Sequence, residues 1–323
     1  MSKSLLLVGA GPMSIEHFKA AQALGVDVTV CGRGEASADA FEAATGTRPL
    51  TGELKDQLAS LKSLPSHALV AVNVAQLGPV TQHLMDAGVS RILLEKPGGA
   101  TLDQIAELAA ADHDSRIRLA YNRRFFPSMQ TARECVREDG GLTSMLIEFN
   151  ENRPLIASID KHGAEVKSNW FFANSTHVVD SAFFVAGLPG EVPEHPVQAF
   201  TRGDAQALPP LVSYSGAGAI DEWVYSWHAD WRSAGRWGLE ICTPKRRLIL
   251  KPMETLQEMA SGSFRMTPVE LIMAEPEGVK PGLYNMISCF MENPDHEDLL
   301  TMRDQLSRLR VFNRMITPTS EIA

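Results

Sequence analysis

Leu5-Leu6-Leu7-Val8-Gly9-Ala10-Gly11-Pro12-Met13-Ser14 decides the fold. Four consecutive apolar residues read as a strand buried on both faces, and Gly9 and Gly11 mark a tight turn. Pro12 then suits the first position of a helix. In a strand–turn–helix corner of this kind the first glycine permits the turn and the second lets an anion approach the backbone. The helix N-terminus supplies amide donors and a favourable dipole. Ser14 stands where a third glycine is usual and is small enough to pack against the strand. Because a strand precedes the run and a helix follows it, the pattern predicts a dinucleotide site. Gly9, Gly11, Pro12 and Met13 would lie at the pyrophosphate.

Outward from this corner, short apolar runs at 5–8, 26–31, 68–73, 92–95 and 117–121 alternate with helix-like stretches at 13–24, 36–44, 54–61, 78–87 and 102–111. Thr101 stands at an N-cap position before the last of these. The alternation predicts an α/β Rossmann-type, doubly wound parallel sheet over residues 1–122. Past Tyr121 the pattern changes. A helix-like segment at 128–138 ends at Gly140-Gly141, and strands then follow in succession, so residues 123–323 read as an α+β domain with a mostly antiparallel sheet. In Trp223-Val224-Tyr225-Ser226-Trp227-His228-Ala229-Asp230-Trp231 the aromatics alternate, which puts an aromatic stripe on one strand face as core or as subunit interface.

The chain has 323 residues, 44% of them hydrophobic and 21% charged, with a net charge of −9. An acidic balance gives no counterion-releasing basic surface, so a nucleic-acid partner is not expected, and Lys245-Arg246-Arg247 reads as a solvated turn. Cys31, Cys135, Cys242 and Cys289 show no metal-ligand or disulfide spacing, so no metal is expected and a reducing cytoplasm fits. The run at 5–8 is too short for a membrane span or a signal-peptide core.

At the end of the second strand stand Gly32, Arg33 and Gly34. A site selective for NAD places an acid here for the ribose 2′-hydroxyl, whereas a guanidinium binds a 2′-phosphate. Arg33 therefore predicts NADP(H) over NAD(H). The alternative is a solvated Arg33 with Glu35 on the ribose. Asn73, at the end of the third strand, and Glu95, at the end of the fourth, are further candidate cofactor neighbours, because ligands bind at the carboxyl ends of parallel strands.

Glu95-Lys96-Pro97-Gly98-Gly99 puts a lysine at such a strand end. Together with the glycine turn, Tyr121-Asn122-Arg123-Arg124-Phe125 and the late segment Asn174-Ser175-Thr176-His177-Val178-Val179-Asp180, it resembles the Gfo/Idh/MocA oxidoreductases over nearly the whole chain. The resemblance implies hydride transfer between a nicotinamide and a sugar, polyol or related hydroxy or keto compound. Lys96 would bind the reacting oxygen and His177 would be the general acid/base. It also implies a homodimer or homotetramer.

The division of labour suits an imidazole, which titrates near neutral pH, and a cation, which favours an alkoxide-like oxygen. Asn174 or Ser175 is expected to cap the helix and place His177 in its first turn, with Asp180 on the same face to orient substrate or imidazole. Asn122, Arg123, Trp170 and Asn174 are candidate substrate contacts, Lys161 and His162 further pocket candidates. Many family members carry Asp four residues before this histidine, and that position is Ala173 here. The departure leaves room for a reductase of another carbonyl or unsaturated compound, or for a non-catalytic NADP-binding sensor.

Overall fold

The computed structural model describes residues 4–159 and 163–319. The chain divides into two compact units, one made of residues up to Phe125 together with Glu275–Leu306, the other of Phe126–Ala274 and the residues from Ser307 onward.

The first unit opens with β1 (Ser4–Val8), α1 (Pro12–Ala23), β2 (Asp27–Cys31), α2 (Glu35–Thr45), α3 (Leu54–Ser60), β3 (His67–Val70), α4 (Val74–Asp86), β4 (Arg91–Leu94), α5 (Leu102–Ala111) and β5 (Ile117–Leu119). The order β5-β4-β3-β1-β2 is parallel throughout. Beyond β2 a single parallel bridge, Cys31 to Leu50, stands where a further strand would pair. Chain order reverses between β1 and β3, which makes their carboxyl ends the switch point where ligands bind in such sheets. The expected strands and helices are all present, with ends moved by up to four residues. Thr101 caps α5, its hydroxyl accepting from the Gln104 amide at 3.3 Å.

The second unit contains α6 (Pro127–Glu138), β6 (Ser144–Phe149), α7 (Arg153–Ala157), α8 (Ala164–Ser168) and α9 (Thr176–Val185), then β7 (Val197–Asp204), β8 (Leu211–Ile220), β9 (Trp223–Asp230), β10 (Trp237–Cys242), β11 (Arg246–Leu250), β12 (Gln257–Ala260) and β13 (Met266–Pro268). Its eight-stranded sheet runs β13-β12-β11-β10-β6-β9-β8-β7, antiparallel except for the β6–β9 pair.

The aromatic stripe of β9 is core. Trp223, Tyr225, Trp227 and Trp231 are buried, and Tyr225 meets Phe183 of α9 edge-on. Gly216 and Gly218 on β8 pair with Trp227 and Tyr225, and a Cβ at either glycine would enter the facing ring, at 2.2 and 2.5 Å. The stripe is therefore covered within the chain and gives no support to an interface reading. Arg246, expected in a solvated turn, instead opens β11 and pairs with Asp139 at 2.8 Å and Glu258 at 2.9 Å.

Residues 275–306 depart from the expected boundary at 122/123. They add α10 (Leu283–Glu292) and β14 (Leu300–Thr301) to the first unit, β14 extending its sheet antiparallel to β5. The reason is hydrophobic. Leu283, Met286, Ile287 and Phe290 of α10 are fully buried in one cluster with Leu5, Leu7, Phe18, Ala21 and Phe41. The last helix, α11 (Met302–Ile316), follows. Among the described residues no helix is long and apolar enough to cross a membrane.

Candidate functional site

At the glycine-rich corner, Gly9 has φ +126°, and a Cβ there would lie 2.2 Å from the Ala71 carbonyl oxygen. Only glycine lets β1 turn this close to the end of β3. Ser14, fully buried, donates its hydroxyl to the same Ala71 carbonyl at 3.1 Å, so the residue in place of the third glycine ties helix to strand. Gly11 is the N-cap of α1, extended, with no side-chain cap and open space where a Cβ would stand. The amides of the first turn are left to an incoming anion, which the helix dipole favours.

A cation stands at the same end of α1. Lys280 Nζ lies 3.2 Å from Met13 Sδ. The loop that carries it is held twice: Glu275 accepts from the Gly282 amide at 2.8 and 2.9 Å, and Asn122 donates its amide to the Pro281 carbonyl at 2.9 Å. Asn122, expected as a substrate contact, is buried and serves this loop. Lys280 escaped the sequence reading because nothing in its neighbourhood resembles a binding motif and it is far from the corner in sequence.

At the end of β2, Arg33 is exposed. A Cβ at Gly32 would stand 3.0 Å from Ala10 Cβ, so a larger residue at the usual acid position would crowd the corner. Glu35 is engaged elsewhere: it meets Arg48 at 2.5 Å in an exposed cluster that also includes Asp39 and Glu42. Asn73 caps α4, its side chain accepting from the Ala75 amide.

Beyond β4 the Glu95-Lys96-Pro97 loop is firmly held. Glu95 Oε1 lies 2.7 Å from Nε2 of His17, whose side chain on α1 is fully buried. Burial raises the Glu95 pKa, but the His17 hydrogen bond and the charges of His17, Lys96 and Lys280 outweigh it and hold the carboxyl below its ordinary value. Lys96 is half-buried, and its peptide bond to Pro97 is cis. Gln305, fully buried, donates to the Pro97 carbonyl at 3.0 Å and to the Tyr121 hydroxyl at 3.1 Å. Arg123 is half-buried in the short helical turn Asn122–Phe125, while Arg124 is fully buried and donates to the Asp298 carbonyl at 3.1 Å.

In the second unit, His177 is 6% exposed on α9. Ser175 holds the N-cap position of α9, one of the two expected, but its side chain caps nothing. A π-turn, Phe171–Ser175, runs directly into α9, and Ser175 has helical dihedrals with no side-chain cap. His177 thus lacks the first-turn dipole assigned to it from the sequence. Asn174 and Ser175 instead converge on Glu151, just beyond β6: Ser175 Oγ donates at 2.6 Å and Asn174 Nδ2 at 3.2 Å. Burial pushes the Glu151 carboxyl above its ordinary value, against the opposing pull of Ser175, Trp170, Asn174 and Trp237.

Asp180, expected to orient substrate or imidazole, is fully buried and pairs at 3.2 Å with Arg308 of α11, itself fully buried. That carboxylate faces the interior because α9 is buried all round. Trp170 is buried beside Glu151, and Lys161 and His162 lie outside the described residues. Among the described residues no group of three or more His, Cys, Asp or Glu side chains could hold a metal ion.

No family model and no curated protein matches the chain in sequence. Solved structures match it over almost its full length. UDP-N-acetylglucosamine 3-dehydrogenase GnnA from Acidithiobacillus ferrooxidans is 16% identical with a TM-score of 0.72, the alignment covering 98% of this chain and 97% of that one. The WlbA dehydrogenase from Bordetella pertussis, in complex with NADH and UDP-GlcNAcA, is 18% identical with a TM-score of 0.69, covering 97% and 94%. An oxidoreductase from Agrobacterium radiobacter, in complex with NAD+, L-tartaric acid and magnesium, is 12% identical with a TM-score of 0.74, covering 98% and 95%. At these identities the likeness shows a shared fold: a parallel α/β unit followed by an antiparallel-sheet unit.

Proposed function

We propose that this chain is a nicotinamide-dinucleotide-dependent oxidoreductase of the Gfo/Idh/MocA type, moving a hydride between the cofactor and a sugar, polyol or related hydroxy or keto compound. The observation that carries the reading is the corner at the switch point. There Gly9 turns against Ala71, and the uncapped first turn of α1 faces outward beside Lys280. The residues fit a dinucleotide: amides and a cation for the diphosphate, space at Gly11, and no carboxylate directly after β2 to repel a 2′-phosphate. The sugar-nucleotide dehydrogenases that share the fold support the substrate class.

When bound, the nicotinamide supplies or accepts the hydride. Lys96 polarises the reacting oxygen, its charge favouring the alkoxide-like form, and His177 takes or returns the hydroxyl proton. An imidazole is the side-chain type suited to carrying that proton. Arg33 binds the 2′-phosphate and favours NADP(H); with Glu35 occupied by Arg48, the alternative ribose ligand loses ground. A cytoplasmic homodimer or homotetramer belongs to the same reading.

Titration with NADPH and NADH, then assay against a panel of keto sugars and UDP-sugars, tests the proposal. NADPH is expected to bind and at least one panel compound to turn over. Lys96→Met should cut turnover on the order of 100-fold while NADPH affinity stays nearly unchanged. Binding without turnover of any compound would favour a non-catalytic sensor. Absence of dinucleotide binding would sink the whole reading.

A further inference from the structure

Glu151 has no part in the chemistry above, yet it is a buried carboxylate whose two oxygens are used by the turn that leads into His177. Ser175 Oγ lies 2.6 Å from Oε1, and Asn174 Nδ2 lies 3.2 and 3.5 Å from Oε1 and Oε2. That turn is π-helical over Phe171–Ser175. A π-turn holds one residue more than an α-turn, breaks the regular ladder and persists only where other contacts hold it; such turns occur mostly at functional sites. One inserted residue also rotates everything after it by about 100° relative to everything before. The direction in which His177 leaves its helix therefore depends on the π-turn. The side chains at its C-terminal end are fastened to Glu151, anchored on a different element just after β6.

We propose that Glu151 is the positioning residue for His177: it pins Asn174 and Ser175, keeps the inserted residue in place, and so sets the face on which the imidazole is presented. The proposal rests on the reading of His177 as proton carrier. It also gives a physical sense to Ala173. The turn itself carries no acid, and Glu151, just past the end of β6, meets the residues that follow Ala173. The carboxylate acts through Asn174 and Ser175, and no contact with substrate is needed.

The experiment reads His177 directly. In protein labelled with 13C-histidine, the His177 ring cross-peak is assigned by its loss in His177→Asn, and the remaining histidines of the nine serve as internal controls. Glu151→Gln keeps shape and volume but turns one acceptor oxygen into an NH2 donor, which opposes the Asn174 amide, and removes the charge that strengthens the bonds to the other oxygen. It is expected to move the His177 cross-peak and leave the others in place. The double variant Asn174→Ala/Ser175→Ala, which attacks the same link from the other end, is expected to do the same. Adding Glu151→Gln to it should give little further change, as coupled residues do.

On a panel compound whose turnover needs His177, Glu151→Gln should lower kcat on the order of 100-fold with KM for NADPH unchanged. A cross-peak unmoved in both variants overturns the proposal, and so does a kcat equal to wild type. If His177→Asn itself leaves turnover intact, the assignment of His177 falls, while the cross-peak measurement still decides the role of Glu151.

Discussion

His17 and Glu95, 78 residues apart, meet at 2.7 Å and join α1 to the loop that carries Lys96. The imidazole side chain is fully buried and the carboxylate largely so. The glycine-rich corner at the start of α1 and the lysine loop are thus tied together by a buried hydrogen-bonded pair.

This pair predicts an acid-sensitive contribution to stability. The folded-state pKa of Glu95 lies below its unfolded value of 4.5, so the stabilisation is fully present above that value and is lost as pH falls through the folded pKa. In urea unfolding between about pH 6 and pH 3, wild type should lose stability more steeply than Glu95→Gln. Equal slopes would show that the charge is not stabilised in the fold.

Arg33 and Lys280 should separate cleanly in cofactor binding. Arg33→Asp is expected to weaken NADPH by about 10- to 100-fold, the worth of a charge-assisted contact, and to leave NADH no weaker. Lys280→Gln, at the N-terminal end of α1, should weaken both dinucleotides to the same degree. Fluorescence titration decides. An unchanged NADPH/NADH affinity ratio in Arg33→Asp would remove the NADP assignment.

Asp180 and Arg308 form a fully buried ion pair. Removing one partner from such a pair leaves an uncompensated charge and costs about 3–5 kcal/mol. Asp180→Asn should therefore lower the unfolding midpoint strongly without altering NADPH affinity. A substrate contact would give the opposite pattern, a raised substrate KM at undiminished stability.

Phe290 tests the discontinuous unit. It is fully buried against α1 and meets His67 edge-on at 5.3 Å. Phe290→Ala should cost about 3–5 kcal/mol, because the ring leaves a cavity that its neighbours only partly fill. Denaturant melts should show that loss in the parallel-sheet unit, to which α10 belongs.

Much of the first unit was legible because its signals are local. Alternating apolar runs and helical stretches, the caps and the glycine turn each act within a dozen residues, and α5 emerged with the bounds read from the sequence. Parts of the candidate site's local geometry were legible for the same reason: Gly9 turns against Ala71, Ser14 ties α1 to the end of β3, Gly11 precedes α1, and Glu95-Lys96-Pro97 follows β4. What escaped depends on contacts remote in sequence. Lys280 reaches Met13 across most of the chain, and Glu151 reaches Ser175 from another element. Asp180 looked like a site residue because Arg308, its partner, lies far downstream. The π-turn escaped because a 3.6-residue periodicity gives no sign of one inserted residue.

The split composition of the first unit bears on its synthesis. Until α10 has left the ribosome, the nascent N-terminal segment carries Phe18, Ala21 and Phe41 without the helix that completes their cluster. Exposed apolar surface of this kind attracts chaperones and invites aggregation. A truncation after Phe125 would leave the same surface permanently bare. The parallel-sheet unit is thus a late product of translation, although its glycine-rich corner precedes α10 by most of the chain.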